Sequence, residues 1–528
     1  MNVASTGRRA SKLRMSFGIS YALAVLILTS PAVAQDTPRN GGSITVHINR
    51  DIGGFDHIKV PQGGMGRFQV LWAVHEKLFE KGENGEFVPA LAIEATSSED
   101  FKTWRVKLRD GVKFSNGAPL TSETYTHHFD RLLGSELADN FRSVIGGNLQ
   151  AVVAIDDLTL EFQFGETNPA FQAIMASGST YVLAANEVGF AKENEADEEY
   201  NRVAVGAGPY MLKEWSPGEG VTLVKNPNYW NPDAQHVDEI FYRITTGPET
   251  GPAWNGFVAG DIDVMWSITG GALDRARDNS EYNLANGGRD QMLWAVSYQT
   301  SHKPLEDARV RRALSHAINR QVILDIVLKN AAALADQAFP AGSPWHCDGI
   351  AYPEYSPEKA KALLAEVGEP IPKLELWTYN IPSWKQAVEI IQAMWSEVGV
   401  ESEIKVGGRG PTGVVFQIQS GKTATWMDVR GSLVHPTVFN MNFHSADKGN
   451  LWKLNSPEID AAIDAVQAAR NDEELKKAHC AFEQVKTDVV PYIPISYAPA
   501  ALIANANVGG VIPPNDVVLG YHKLWIKE

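Results

Sequence analysis

The run 373-KLELWTYN-380, an amphipathic stretch reaching Val398, Gly399 as a stop and the run 400-VESEIKV-406 constrain this chain more than any other feature. Between the two apolar runs, Ala387, Val388, Ile391, Met394, Trp395 and Val398 recur at helical spacing on one face, behind Ser383 as an N-cap. Strand, helix and strand in this order make an α/β layer with a core-facing helix stripe, and Trp395 reads as core. The same signature recurs nearby. A helix over 357–367 has Ser356 as cap, Pro357 at its first position and Gly368 past its end, and another is expected at about 456–469. From Pro304 onward Val310, Leu314, Ala317 and Ile318 share one helix face.

Before Pro304 the pattern is different. Ile44, Val46 and Ile48 alternate with polar residues, so 43–49 is a half-buried strand, and strands are expected at 151–156, 158–164, 221–226 and 237–245. The nearly apolar 290-DQMLWAVSYQT-300 suits a central strand or a chain crossing between lobes. A helix is expected over 67–79. In 107-KLRDGVKFSNGAPLTSET-124, Asp110-Gly111 predicts a hairpin between 106–108 and 112–114, Ser115-Asn116-Gly117 a second reversal, and Thr121 the cap of a helix to about Leu133 with Glu123 in its first turn.

Arg8, Arg9, Lys12 and Arg14 precede an apolar run at 17–28, and 32-AVA-34 offers small residues for signal peptidase, so cleavage is expected after Ala34 and the mature chain in the periplasm. The run is short for a membrane span, and membrane insertion is not expected. The remaining 494 residues exceed one core, and several domains follow. Formal net charge is -16, or -20 without the four leader cations, which argues against nucleic acid as a partner. Cys347 and Cys480 are the two cysteines; in an oxidising compartment they either pair across a long loop or remain separate buried thiols, and their spacing fits no zinc motif.

Motifs for catalysis fail on inspection. The tetrapeptide 420-SGKT-423 lacks the glycine a phosphate loop needs, since Phe416 stands there. His75-Glu76 has no second histidine at zinc-ligand spacing, His127-His128 diverge on their helix, and no G-x-S-x-G elbow occurs. An enzyme is not expected, and neither a cofactor nor a resident metal is implied.

The segments 73-AVHEKLFEKGENGEFVPALA-92, 104-WRVKLRDGVKFSNGAPLTSE-123, 206-GAGPYMLKEWSPGEGVTLVKNPNYW-230, 304-PLEDARVRRALSHAINR-320 and 491-PYIPISY-497 resemble, in order, the family 5 extracellular solute-binding proteins that feed ABC importers for dipeptides, oligopeptides and nickel. The resemblance implies a two-lobed α/β periplasmic binding protein fold of type II, in its large cluster C form, with an extra α+β domain inserted in lobe one. Lobe one would comprise 35–75, 204–293 and 497–528, the extra domain 76–203, and lobe two 294–496. It also implies a monomer that closes on a small solute and presents it to an inner-membrane ABC permease. Peptide or peptide-like ligands are the default. Opines, oligosaccharides and metal chelates (with His435 or His346 as ligand) are alternatives, as are a secreted hydrolase and a binding protein that signals to a chemoreceptor.

Ligand contacts are implied residue by residue. Gln62, Gly63, Gly64 and Met65 correspond to a loop whose backbone pairs with peptide in relatives. Trp266 falls where the family places a cleft aromatic, and Trp294 lies on the expected crossing strand; each is a flat surface suited to a ligand or, equally, to a lobe core. In 425-TWMDVRGSLVHPTVF-439, Trp426 and Pro436 fit the family frame, Asp428 comes one residue early, and His435 replaces the acid before proline. Asp428 would meet an ammonium and Arg430 a carboxylate. This departure argues against a plain dipeptide or oligopeptide.

Overall fold

A computed structural model describes residues 38–527 apart from 57–64, 82–86, 137, 177–199, 248, 268–270, 287–291, 330–331, 409–412, 432–434, 448, 499–500 and 513–522. The expected leader and cleavage site, and residues 62–64, lie outside the described residues. Two mixed sheets organise the chain. In the first, the strand Ser43–Ile48 pairs in parallel with Glu239–Ile244 and with Val264–Ser267; Gly220–Lys225 and Tyr210–Ser216 extend one side, Ala501–Asn505 and Tyr282–Asn286 the other. In the second, Leu374–Tyr379 pairs in parallel with Ser402–Gly407 and Thr425–Gly431, and Met292–Tyr298 lies antiparallel between Thr425–Gly431 and Tyr492–Ala498. These sheets are the cores of the two lobes. A third, antiparallel sheet of Ala92–Ser97, Thr103–Leu108, Thr159–Phe164 and Leu149–Asp156, backed by the helix Ser122–Leu133, forms the inserted α+β domain.

The strand-helix-strand expectation holds, with its helix at Pro382–Glu397, capped by Ile381 with Pro382 in its first turn instead of by Ser383. Trp384, Ala387, Val388, Ile391 and Trp395 are its buried face, and Trp395 donates its indole N–H to the Leu314 carbonyl. Helices Pro357–Val367 and Ser122–Leu133 start and stop as read, the latter closed by a reciprocal Thr121–Thr124 capping box.

Two further readings need correction. Asp110-Gly111 does turn the chain, but Val112–Phe114 is not a strand paired with 106–108: Thr103–Leu108 is taken on both sides by Ala92–Ser97 and Thr159–Phe164, and the following segment folds back on itself through Phe114 N–H to Ala118 O and Leu120 N–H to Val112 O. A strand has two hydrogen-bonding edges, and here the sheet occupies both. The helix expected over 67–79 runs from Met65 to Val74, because Phe79 already belongs to the strand Phe79–Lys81.

At that junction Glu76 is buried, accepting hydrogen bonds from the Tyr229 hydroxyl (2.7 Å) and the Lys77 N–H (3.0 Å). Burial, reinforced by the charge of Glu80, raises its carboxyl to about 7 against the pull of those bonds and of the Lys77 ammonium. A raised carboxyl pKa contributes stability that is fully present below the unfolded value near 4.5 and is lost as pH rises through about 7. The wild type should therefore lose roughly 3 kcal/mol from this group across that window, and Glu76→Gln should flatten the slope. Urea midpoints taken at half-unit pH steps read it directly; parallel profiles would remove Glu76 from this role.

Candidate functional site

The chain leaves the first sheet after Asn286 and enters the second at Met292; it returns between Ala498 and Ala501. Register fixes where those passages sit. Ala501 lies opposite both Ser267 and Asn286, so the passages meet the first sheet at the carboxyl end of Val264–Ser267. Met292 lies opposite both Gly431 and Ala498, so they meet the second at the carboxyl end of Thr425–Gly431. Carboxyl ends of parallel strands are where open α/β sheets bind ligands, because the loops that follow them diverge and leave a crevice. Both lobes turn that end toward the connection between them.

On the first lobe Trp266 stands one residue from that end. It is buried, and its indole N–H has no partner among the described residues. On the second lobe Asp428 is half-buried and accepts a 2.9 Å bond from the Ser297 hydroxyl, which itself accepts the Trp452 indole N–H at 3.1 Å. This orients the carboxylate. His435 is half-buried, with Nδ1 2.8 Å from the Thr437 hydroxyl and its ring edge-on to Trp345 at 5.1 Å. Burial lowers its pKa to about 4, so the imidazole is neutral at physiological pH.

The remaining expected contacts are placed as follows. Trp294 is 1% exposed, its ring edge-on to Trp384 at 5.7 Å, and Trp426, also 1% exposed, lies opposite Ser297, about 17 Å along its strand from Gly431. Both rings are buried. Met65 opens the helix Met65–Val74, and Arg430 is placed by its backbone opposite Leu293. The strand 292–298 is central in the second sheet.

Three side chains linked to Asp428 or His435 escaped sequence reasoning: Ser297, Trp452 and Trp345. The loop carrying Trp345 is tied to the helix Asp472–Val489 by a Cys347–Cys480 disulfide and by the Lys476 ammonium on the Pro344 (2.6 Å) and His346 carbonyls, and it is braced from within by Gln337, which accepts from the Cys347 N–H at 2.8 Å. The helix after His435, Pro436–Met441, rests on the same support. There the buried Lys486 ammonium pairs with Glu483 and lies 5.2–5.6 Å from the ring centres of Phe439, Phe443, Phe482 and Tyr492. Among the described residues no group of three His, Cys, Asp or Glu side chains is disposed to hold a metal ion, and no helix is long and apolar enough to cross a membrane.

The family described as Bacterial extracellular solute-binding proteins, family 5 Middle, matches residues 86–450. The chain belongs to family 5 of the extracellular solute-binding proteins. A curated relative, the nickel-binding periplasmic protein of Escherichia coli K12, is 24% identical over 466 residues, 83% of this chain and 86% of its own. Among solved structures, the periplasmic binding protein DppA from Helicobacter pylori in complex with the peptide STSA superposes with a TM-score of 0.81 at 19% identity, covering 93% of this chain and 99% of its own. AgaA from A. tumefaciens R10, in complex with agropinic acid, gives 0.78 at 20% identity, covering 92% and 99%. One fold thus holds a peptide, an opine and, by name, nickel in different members. As a family 5 protein the chain has the two-lobed architecture with the inserted domain, and its class is solute binding.

Proposed function

We propose that this family 5 protein is the periplasmic capture component of an ABC importer, taking a small polar organic solute, peptide or peptide-like by default, between two lobes that close on it. The carrying observation is that both sheets turn the carboxyl ends of their parallel strands to the passages joining them, with Trp266 one residue from that end on one lobe and Asp428 three residues from it on the other. A solute there touches both lobes only when they are shut, so its binding free energy favours closure. The permease reads the closed form. The lobes and inserted domain take the boundaries expected from the sequence, the mature chain begins after Ala34, and it works as a monomer. Trp266 is the flat contact of lobe one; Asp428 takes a ligand ammonium, Arg430 a carboxylate, and Met65 with the preceding Gln62–Gly64 loop supplies backbone bonds.

A second reading, an opine or a comparable conjugate, is favoured by one observation. His435 stands where a peptide binder of this frame carries an acid, and its burial keeps it neutral, so one anionic anchor for an amino terminus is missing.

Thermal shift with the tetrapeptide STSA, agropinic acid and nickel–histidine separates these readings, since a ligand selective for the native state raises the melting temperature. Trp266→Ala should weaken the active compound more than about tenfold by calorimetry, the loss expected for a truncated aromatic anchor. Unchanged affinity would remove Trp266 from the site. Turnover of the compound would overturn the binding role.

A further inference from the structure

Helix Gly271–Ala276 follows the strand that carries Trp266 and packs on the first sheet, where Arg275 donates to the Thr250 carbonyl at 3.0 Å and covers Trp254. Helix Arg320–Val327 packs on the second sheet, where Arg320 donates to the carbonyls of Ala335 and Pro494. A side chain on the first helix reaches one just past the end of the second. Asp274 Oδ2 lies 3.0 Å from Lys329 Nζ, an ion pair between groups that belong to different lobes and are each anchored on their own sheet.

The backbone at Lys329 adds a second observation. It takes φ +47°, the left-handed region, directly after the helix C-cap Leu328. Glycine is the usual residue at such a position, because a side chain strains that conformation. A lysine there accepts the strain, and what it supplies is an ammonium aimed at the opposite lobe.

We propose that Asp274 and Lys329 form an inter-lobe latch that biases the equilibrium between lobe arrangements toward the one in this structure, independently of the solute. The inference rests on the reading that the lobes move relative to each other. With exposures of 33% and 58% the pair contributes little to folding, but a contact present in one arrangement and broken in the other acts wholly on their ratio. Salt screens such an exposed pair.

Spin labels at Val258→Cys and Val406→Cys, exposed positions on lobe one and lobe two, report inter-lobe distances by pulsed electron resonance without any ligand, since the native cysteines are already paired. In 50 mM salt, Lys329→Glu and Asp274→Lys should each reduce the population at the distance of this structure by about two- to fivefold relative to the alternative. The swapped pair Asp274→Lys with Lys329→Asp should restore it, and 0.5 M salt should bring wild type and variants together. Lys329→Gly should match Lys329→Glu in direction while melting no lower than wild type. Two wild-type populations that neither charge reversal nor salt moves would overturn the latch and leave lobe closure standing. One wild-type population unmoved in every variant, salt and solute would overturn both.

Discussion

Asp56→Ala should lower stability by about 3–5 kcal/mol, the cost of breaking a buried ion pair from one side. Asp56 follows the first strand of lobe one, and its carboxylate takes both Arg131 terminal nitrogens at 3.2 and 2.8 Å, with neither side chain appreciably exposed. Arg131 sits in the last turn of helix Ser122–Leu133, in the inserted domain. Around this pair the fully buried Arg67 donates to the carbonyls of Gly54 and Asp56, and Asn201 accepts from the Asp56 N–H. The guanidinium of Arg131 cannot give up its charge when its carboxylate is removed, so the penalty falls on the folded state. Arg131→Met should cost much of the same amount, and the double variant less than the sum of the two, with coupling on the order of 1–3 kcal/mol. Urea midpoints with unchanged slopes measure each term. Additive losses would show that the two residues act separately.

None of that junction was legible beforehand, for a physical reason. Asp56 and Arg131 are 75 residues apart, and a charge in a sequence carries no mark of whether it will meet its counterpart in water or in a core. What was legible is what local chemistry decides. Pro357 and Gly368 bracket a helix by backbone geometry alone, and Gly368 indeed takes φ +73°. The 18-residue helix Asp472–Val489 was missed although Asn471 caps it and three acidic residues open it. Its core-facing stripe contains His479, Glu483, Lys486 and Thr487, so the apolar periodicity that signals a buried helix face is broken at the positions that are most buried. The Asp110-Gly111 hairpin failed for the opposite reason: its local signal was sound, but the sheet had already used both edges of the preceding strand. For the site, a family position marked Trp266, and departures from the family frame marked Asp428, one residue early, and His435, in place of an acid. Ser297, Trp452 and Trp345 reach them only through tertiary contacts.

The disulfide carries the other large effect. Cys347→Ser with Cys480→Ser should lower stability by about 4–5 kcal/mol, because the bridge closes a 133-residue separation and the chain-entropy penalty removed from the unfolded ensemble grows with the logarithm of that length. Guanidinium midpoints of the double variant and of the wild type under reductant should coincide, both well below the oxidised wild type. A loss under about 1 kcal/mol would mean that the unfolded chain is not appreciably constrained by the bridge. The native loop has other restraints that reduction leaves in place, namely the Lys476 bonds to Pro344 and His346 and the Gln337 bond to Cys347. Trp345 should therefore stay against His435 in the folded state, and affinity at temperatures well below the lowered melting point should change far less than stability. The two readouts separate a bridge that acts on the unfolded chain from one that shapes the site. A large affinity loss at unchanged stability would assign the disulfide to the site instead.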